Sequence, residues 1–510
     1  MRNRILVSMA VVFSFAWLLV SGTVMAQTAP DIPRSETLIV AQGGDAMTLD
    51  PQKQGKMIDM SILSNVFDML LTRDENLKLQ PSLTTAWKTV NDTTWQFTLR
   101  KGVKFHNGEP FNADAAKFSI ERLIDPNTKS PIVELRYVKR VEIVNEYTIN
   151  IVTSEPDPIL PAKLTLFGGV MVPPKYIKER GDAYFAEHPV GTGPFKFVEW
   201  VRDDHVTLVA NPDYWKGAPK VKKLVFRAIP DDAARVAALL AGDVDIISNL
   251  PPDLAPVVNM SPGVKVLSIP GLRAHFLSLD SRKGPLADKR VRLAIASAID
   301  VDALIAKILG GQAKRLNTLV PEEMFGFDPT VKPVPYDPQK AKELLAAAGY
   351  PHGFDIALNA TSGIYMKDRD IALAVSGQLA KVGIRTKVQI LEYGTFLTNL
   401  KADKLAPIYF IGNLAWTLDA TNNFQSYLKS DRRYARMKSA EVDKLVDIEE
   451  TSMDPSEREK AMFRIQQMIR DDAYFVGLFT GNDLYGISDT VKWAGPRNQV
   501  LWMYNAEIVH

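Results

Sequence analysis

Two rhythms of apolar and polar residues alternate along this chain. Around 93–105, Trp95, Phe97 and Leu99 fall on one face and Thr94, Gln96, Thr98 and Arg100 on the other, the two-residue period of a half-buried strand. Residues 61–71 instead place Ile62, Val66, Met69 and Leu70 at helical spacing, which predicts a helix there. A β-rich run at 37–40 leads to Gly43-Gly44 and then Thr48-Leu49-Asp50-Pro51, so a buried strand ends in a turn. Asn107-Gly108 supplies a tight turn, and Asn112 or Asp114 caps a helix whose inward side is Ala116, Ile120 and Leu123.

The alternation continues downstream. Val190-Gly191-Thr192-Gly193-Pro194 opens a block with strands at 195–201 and 206–209. Asp231 caps a helix with Val236, Leu239 and Leu240 inward, and Gly242 ends it before a strand at 244–247. Asp337-Pro338 sets a cap and a first-turn proline ahead of Ala341, Leu344, Leu345 and Ala348, with Gly349 as the stop. A strand at 354–358 is followed by a helix from Asp368 carrying Ile371, Val375, Leu379 and Val382, then by a strand at 385–391. Strand, helix and strand at this spacing form a βαβ unit, so part of the sheet is parallel. The class is α/β with at least two lobes.

The N-terminus changes the picture. Arg2 and Arg4 precede an apolar run from Ile5 to Val20, and Val24-Met25-Ala26 has the small residues a signal peptidase accepts. This reads as a Gram-negative type secretory signal cleaved after residue 26, which places the mature protein in the periplasm. The alternative is an uncleaved anchor, for which the run is slightly short of the ~20 residues a span needs. Removing Arg2 and Arg4 takes the formal charge from +2 to zero. A neutral chain argues against nucleic acid or an anionic membrane as partner, since both call for a basic surplus. There is no cysteine, hence no disulfide and no lipidation site after the apolar run. A chain of 510 residues can hold itself together by its core alone.

Catalytic motifs are missing. The six histidines, His106, His188, His205, His275, His352 and His510, show no metal-ligand spacing, and there is no nucleophile elbow or phosphate loop. Gly191-Thr192-Gly193 begins like a dinucleotide fingerprint, but Pro194 follows and Lys196 stands where the third glycine belongs, which leaves a tight turn. The expectation is a non-enzyme with no cofactor and no metal.

Several segments together resemble the peptide, nickel and related solute-binding proteins of ABC importers, which include dipeptide- and oligopeptide-binding proteins. They are Thr48-Leu49-Asp50-Pro51, the run from Trp95 to Gly108, Val190-Gly191-Thr192-Gly193-Pro194-Phe195, Asn211-Pro212-Asp213-Tyr214-Trp215, Arg290-Val291-Arg292-Leu293-Ala294-Ile295 and Tyr336-Asp337-Pro338-Gln339-Lys340-Ala341. The resemblance implies a two-lobed periplasmic-binding-protein clamp with an extra small domain inserted in the first lobe. Carried over, lobe I comprises 30–70, 190–285 and 481–510, the inserted domain 71–189 and lobe II 286–480. It also implies a monomer that captures a short peptide, from dipeptide to oligopeptide, and delivers it to permease subunits at the inner membrane.

The resemblance implies the site residues as well. Leu414-Ala415-Trp416-Thr417-Leu418-Asp419 matches the family's aromatic, two residues, aspartate pattern, in which the carboxylate pairs with a peptide α-ammonium and the nearby backbone adds the ligand as a strand. Asp419 also suits a cap before Ala420-Thr421-Asn422-Asn423, and the acidic, proline-containing stretch of many peptide-binding relatives is absent here. Tyr485 lies in the segment returning to the first lobe. Arg273 and His275 alternate along the crossover into the second, where Arg273 suits a ligand carboxylate; Lys367 and Arg369 are further cations for that role. Within the same clamp, an opine or amino-acid conjugate, an oligosaccharide stacked on Trp416, or nickel chelated near His275 are the alternative solutes.

Overall fold

A computed structural model describes residues 31–509; the signal segment at 1–26 lies outside them. Most of the described strands fall into three sheets, each with its own apolar core. The first has seven strands in the order 264–269, 483–488, 246–247, 37–42, 223–228, 205–210, 195–201. Thr37–Gln42 lies near its middle and pairs in parallel with Lys223–Ala228. The second has six strands in the order 313–315, 475–481, 274–279, 408–413, 354–360, 384–390. Here Phe354–Ala360 and Ile384–Ile390 pair in parallel around the helix Asp368–Ala380, the βαβ unit expected from the pattern. The third is a four-stranded antiparallel sheet at 84–153, which shares an apolar core with the helix Ala113–Ile124.

Capping chemistry sets the helix starts. The Asn112 side chain accepts from the Ala115 amide at 3.1 Å, Asp231 from Ala234 at 2.8 Å and Asp337 from Lys340 at 2.8 Å. Asn112, rather than Asp114, is the cap of its helix.

One expectation from the pattern is corrected. The helix placed at 61–71 is Met57–Leu63, and Leu71–Arg73 is a short strand. Residues 65–66 leave the helix because their carbonyls are needed elsewhere: Val66 accepts from the Gly193 amide and Asn65 from Phe195, both at 2.9 Å. The strand Ala274–Leu279, within the stretch assigned to the first lobe up to 285, pairs on both edges inside the second sheet. Period-two alternation identifies a strand, not the sheet that receives it.

The glycine-rich turn is where two backbones touch. A Cβ on Gly191 would lie 2.0 Å from the Val66 carbonyl oxygen, and one on Gly193 2.6 Å from the Val66 carbonyl carbon. The His106 amide donates to the Gly191 carbonyl at 2.8 Å, and its ring Nε2 stands 3.0 Å from the Gly193 carbonyl. Burial drives the His106 pKa down to about 4, so the ring is neutral scaffold. At this junction Asp68 is buried and accepts from the Thr192 hydroxyl at 2.9 Å, the Tyr214 hydroxyl at 2.8 Å and Trp215 Nε1 at 2.9 Å. Gly191→Ala is expected to destabilise the protein by about 1–3 kcal/mol through overpacking against backbone that cannot yield. Urea denaturation reads this; an unchanged midpoint would mean the junction relaxes freely.

Candidate functional site

The chain passes between the two large sheets at two crossovers. It leaves the first sheet after Ile269 and enters the second at Ala274; it leaves the second at Gly481 and re-enters the first at Asp483. The crossovers run against each other, since a Cβ on Gly271 would lie 2.1 Å from the Gly481 carbonyl oxygen. Beside them is a cavity of about 690 Å³, lined from the first-sheet side by Met57, Ile58 and Tyr485 and from the second by the segment 362–370, a loop and the start of its helix. That volume suits a small-molecule site.

The charges on its wall differ in how they are satisfied. Arg235 is buried and paired with Asp232, while Lys367 reaches across to Asp253 at 2.9 Å. Asp368 accepts from the Thr361 hydroxyl at 2.7 Å and from the Gly363 amide at 2.9 Å, which locks the loop ahead of its helix. Arg369 is exposed. Arg273 is half-buried, makes no ion pair among the described residues, lies 5.9 Å from the Tyr365 ring centroid and donates to Gln499 Oε1 at 3.1 Å. It is a cation held by a neutral partner at the edge of an apolar wall.

Five of the residues singled out in the sequence line this cavity: Arg273, His275, Tyr485, Lys367 and Arg369. His275 is buried between the Phe410 and Phe479 rings, at centroid distances of 5.9 and 4.6 Å. Desolvation first, and Arg273 second, drive its pKa down to about 3, so it serves as a neutral aromatic wall. Among the described residues no three His, Asp or Glu side chains gather as a metal site would require. Tyr485 is buried and packs edge-to-face on Trp493 at 5.3 Å.

Trp416, Thr417 and Asp419, also expected at the site, do not line this cavity. Trp416 packs edge-to-face on Phe167 at 5.1 Å, a contact between the cores of the two large sheets. The Thr417 hydroxyl is bonded to Asn422, and its carbonyl accepts from Arg73. Asp419 is buried with Oδ1 accepting from Arg458 at 2.8 Å, from the Thr421 amide at 3.1 Å and from the Thr421 hydroxyl at 2.7 Å. The turn cap that its local sequence also suited has been realised, and an arginine far away in sequence neutralises the carboxylate. Glu449, buried alongside and hydrogen-bonded to Thr421, is pushed well above the carboxylate range by burial.

Sequence reasoning missed Gln499, Asp483 and the 362–366 loop as cavity lining. Asp483 stands two residues before Tyr485 and was within reach; Gln499 carried no signal, because its neighbours in space come from residues 273 and 483.

A model of the family described as "Bacterial extracellular solute-binding proteins, family 5 Middle" matches residues 78–435. Among curated proteins, the glutathione-binding protein GsiB of Pectobacterium atrosepticum is 29% identical over 383 residues, 74% of each chain. Among solved structures, the periplasmic binding protein DppA of Helicobacter pylori, in complex with the peptide STSA, aligns with a TM-score of 0.79 and 27% identity over 93% of this chain and 98% of its own. The binding protein AgaA of A. tumefaciens R10, in complex with agropinic acid, aligns with a TM-score of 0.77 and 27% identity over 93% of this chain and 99% of its own.

Because Arg458 neutralises a buried carboxylate, Arg458→Leu is expected to cost about 3–5 kcal/mol by leaving Asp419 buried and unpaired. Chemical denaturation measures this; an unaffected midpoint would mean Asp419 is free for another partner.

Proposed function

The chain belongs to family 5 of the bacterial extracellular solute-binding proteins, the solute-binding components of ABC importers, and from that premise we propose that its cleft captures a short peptide by the carboxylate end. The observation that carries this reading is Arg273, a half-buried guanidinium without an ion pair among the described residues, on the wall of a cavity that both large sheets line. A ligand carboxylate there makes charge-assisted hydrogen bonds in a water-poor setting, where they are strongest. Tyr485, Tyr365 and His275 supply the apolar wall beside it. The cavity leaves room for more than one residue of peptide, and the relative solved with STSA supports that class.

In this reading residues 1–26 direct export and are removed, and the mature protein works in the periplasm as a monomer. No helix among the described residues is long and apolar enough to cross a membrane. Ligand binds one lobe, the lobes close about the crossovers, and the closed form docks on the permease. The shift can be no larger than the ligand's differential affinity for the closed form. The protein does no chemistry, and an ATPase elsewhere supplies the energy.

One observation favours a second reading within the same clamp. Asp419, the residue that pairs with a peptide amine in the relatives this chain resembles, is occupied by Arg458. A solute anchored mainly by its carboxylate, such as an opine or another amino-acid conjugate, suits that arrangement, and the relative bound to agropinic acid supports it.

A thermal-shift panel of dipeptides, tripeptides, glutathione, opines, oligosaccharides and nickel with histidine tests the function. A ligand at 100 times its Kd adds about 2.7 kcal/mol of stability, enough to move Tm visibly. Arg273→Gln is expected to weaken binding of the responding acid by at least about tenfold while leaving its C-terminal amide unaffected. Equal losses for acid and amide would take the carboxylate away from Arg273.

A further inference from the structure

We propose that the cleft is built for a solute carrying two separated charges, and that Asp483, rather than Asp419, takes the cationic end. This rests on the cleft being the binding site. Asp483 lines the same cavity as Arg273. Its Oδ1 accepts from Gln499 Nε2 at 2.7 Å, while Oδ2 is buried without a partner among the described residues. The other carboxylates on the wall are either satisfied or in solvent: Asp232 has Arg235, Asp368 has a hydroxyl and backbone amides, and Asp370 is exposed. Asp483 is therefore the wall carboxylate with an unused, desolvated acceptor, and such an oxygen is costly unless something donates to it.

Gln499 explains how two opposite charges stay available. Its carbonyl oxygen accepts from Arg273 and its amide nitrogen donates to Asp483, so a neutral group stands between them. Arg273 and Asp483 make no ion pair with each other. A direct pair would satisfy both groups and leave nothing for a ligand; the inserted amide holds each pole half-satisfied. Gln499 is itself pinned, with a left-handed backbone (φ 65°) and with the Leu501 amide two residues on donating to Ser61 at 3.2 Å. Burial pushes the Asp483 carboxyl up to about 6, against the opposing pull of Gln499 and Arg273, as expected of a carboxylate whose neighbours do not compensate its desolvation. A bound ammonium supplies what is missing.

The test is calorimetric titration of the wild type, Asp483→Asn, Asp483→Glu and Asp419→Asn with Ala-Ala-Ala, its N-acetyl derivative and its C-terminal amide, each variant first checked for cooperative unfolding. The wild type is expected to lose at least tenfold in affinity on N-acetylation. Asp483→Asn should bind free and acetylated peptide alike, Asp483→Glu should recover part of the preference, and Asp419→Asn should keep it in full. An acetylation penalty that survives Asp483→Asn, or that vanishes with Asp419→Asn, overturns the assignment. If the wild type binds none of the three peptides, the peptide reading itself fails and the assignment falls with it.

Discussion

The contact between two backbones at Gly271 and Gly481 is the constraint on which the site depends. Each large sheet borrows strands from distant parts of the chain, so the chain must cross between them and come back. The outgoing and returning crossovers touch where a side chain on residue 271 would collide with the carbonyl of residue 481. Arg273 lies two residues beyond the first glycine and Asp483 two beyond the second. Backbone packing therefore brings to the wall of one cavity a cation with no ion pair among the described residues and a half-satisfied carboxylate.

Buried charge is handled in opposite ways in different places. Asp68 receives three hydrogen bonds from Thr192, Tyr214 and Trp215, and so draws together two of the blocks that carry the family resemblance. Asp50, from a third block, is ion-paired with Arg122 at 2.6 Å. Asp419 has Arg458. These carboxylates are satisfied and structural, and their desolvation is offset by fixed donors. Asp483 is left short by one partner. The contrast separates scaffold from site more sharply than residue type does, since all four are aspartates in a protein interior.

This also accounts for how relatives built alike can be solved with a peptide and with an opine acid. The recurrent blocks belong to the sheets and to the turn at Gly191, and none of them lines the cavity. The charged and polar lining at Arg273, Asp483 and Gln499 comes from the two crossovers and the C-terminal stretch, outside those blocks. Fold and ligand are thus recorded in different residues.

Much was legible in the chain itself. Local periodicity and capping chemistry identified the βαβ unit from Phe354 to Ile390, the caps at Asp231 and Asp337, and the half-buried strand around Trp95, because those signals arise from neighbours in sequence. The order of the motif blocks identified the family. Arg273, His275 and Tyr485 were reachable as cavity lining because they stand on or beside the crossovers. What required the tertiary structure was every decision about partners. Whether Asp419 meets a ligand or Arg458, whether the strand after Arg273 joins one sheet or the other, and whether residues 65–66 stay helical all turn on groups tens to hundreds of residues away. A carboxylate reads the same in sequence whether it is satisfied or not; only the fold, by bringing donors to some oxygens and withholding one from Asp483, decided which was left without a partner among the described residues.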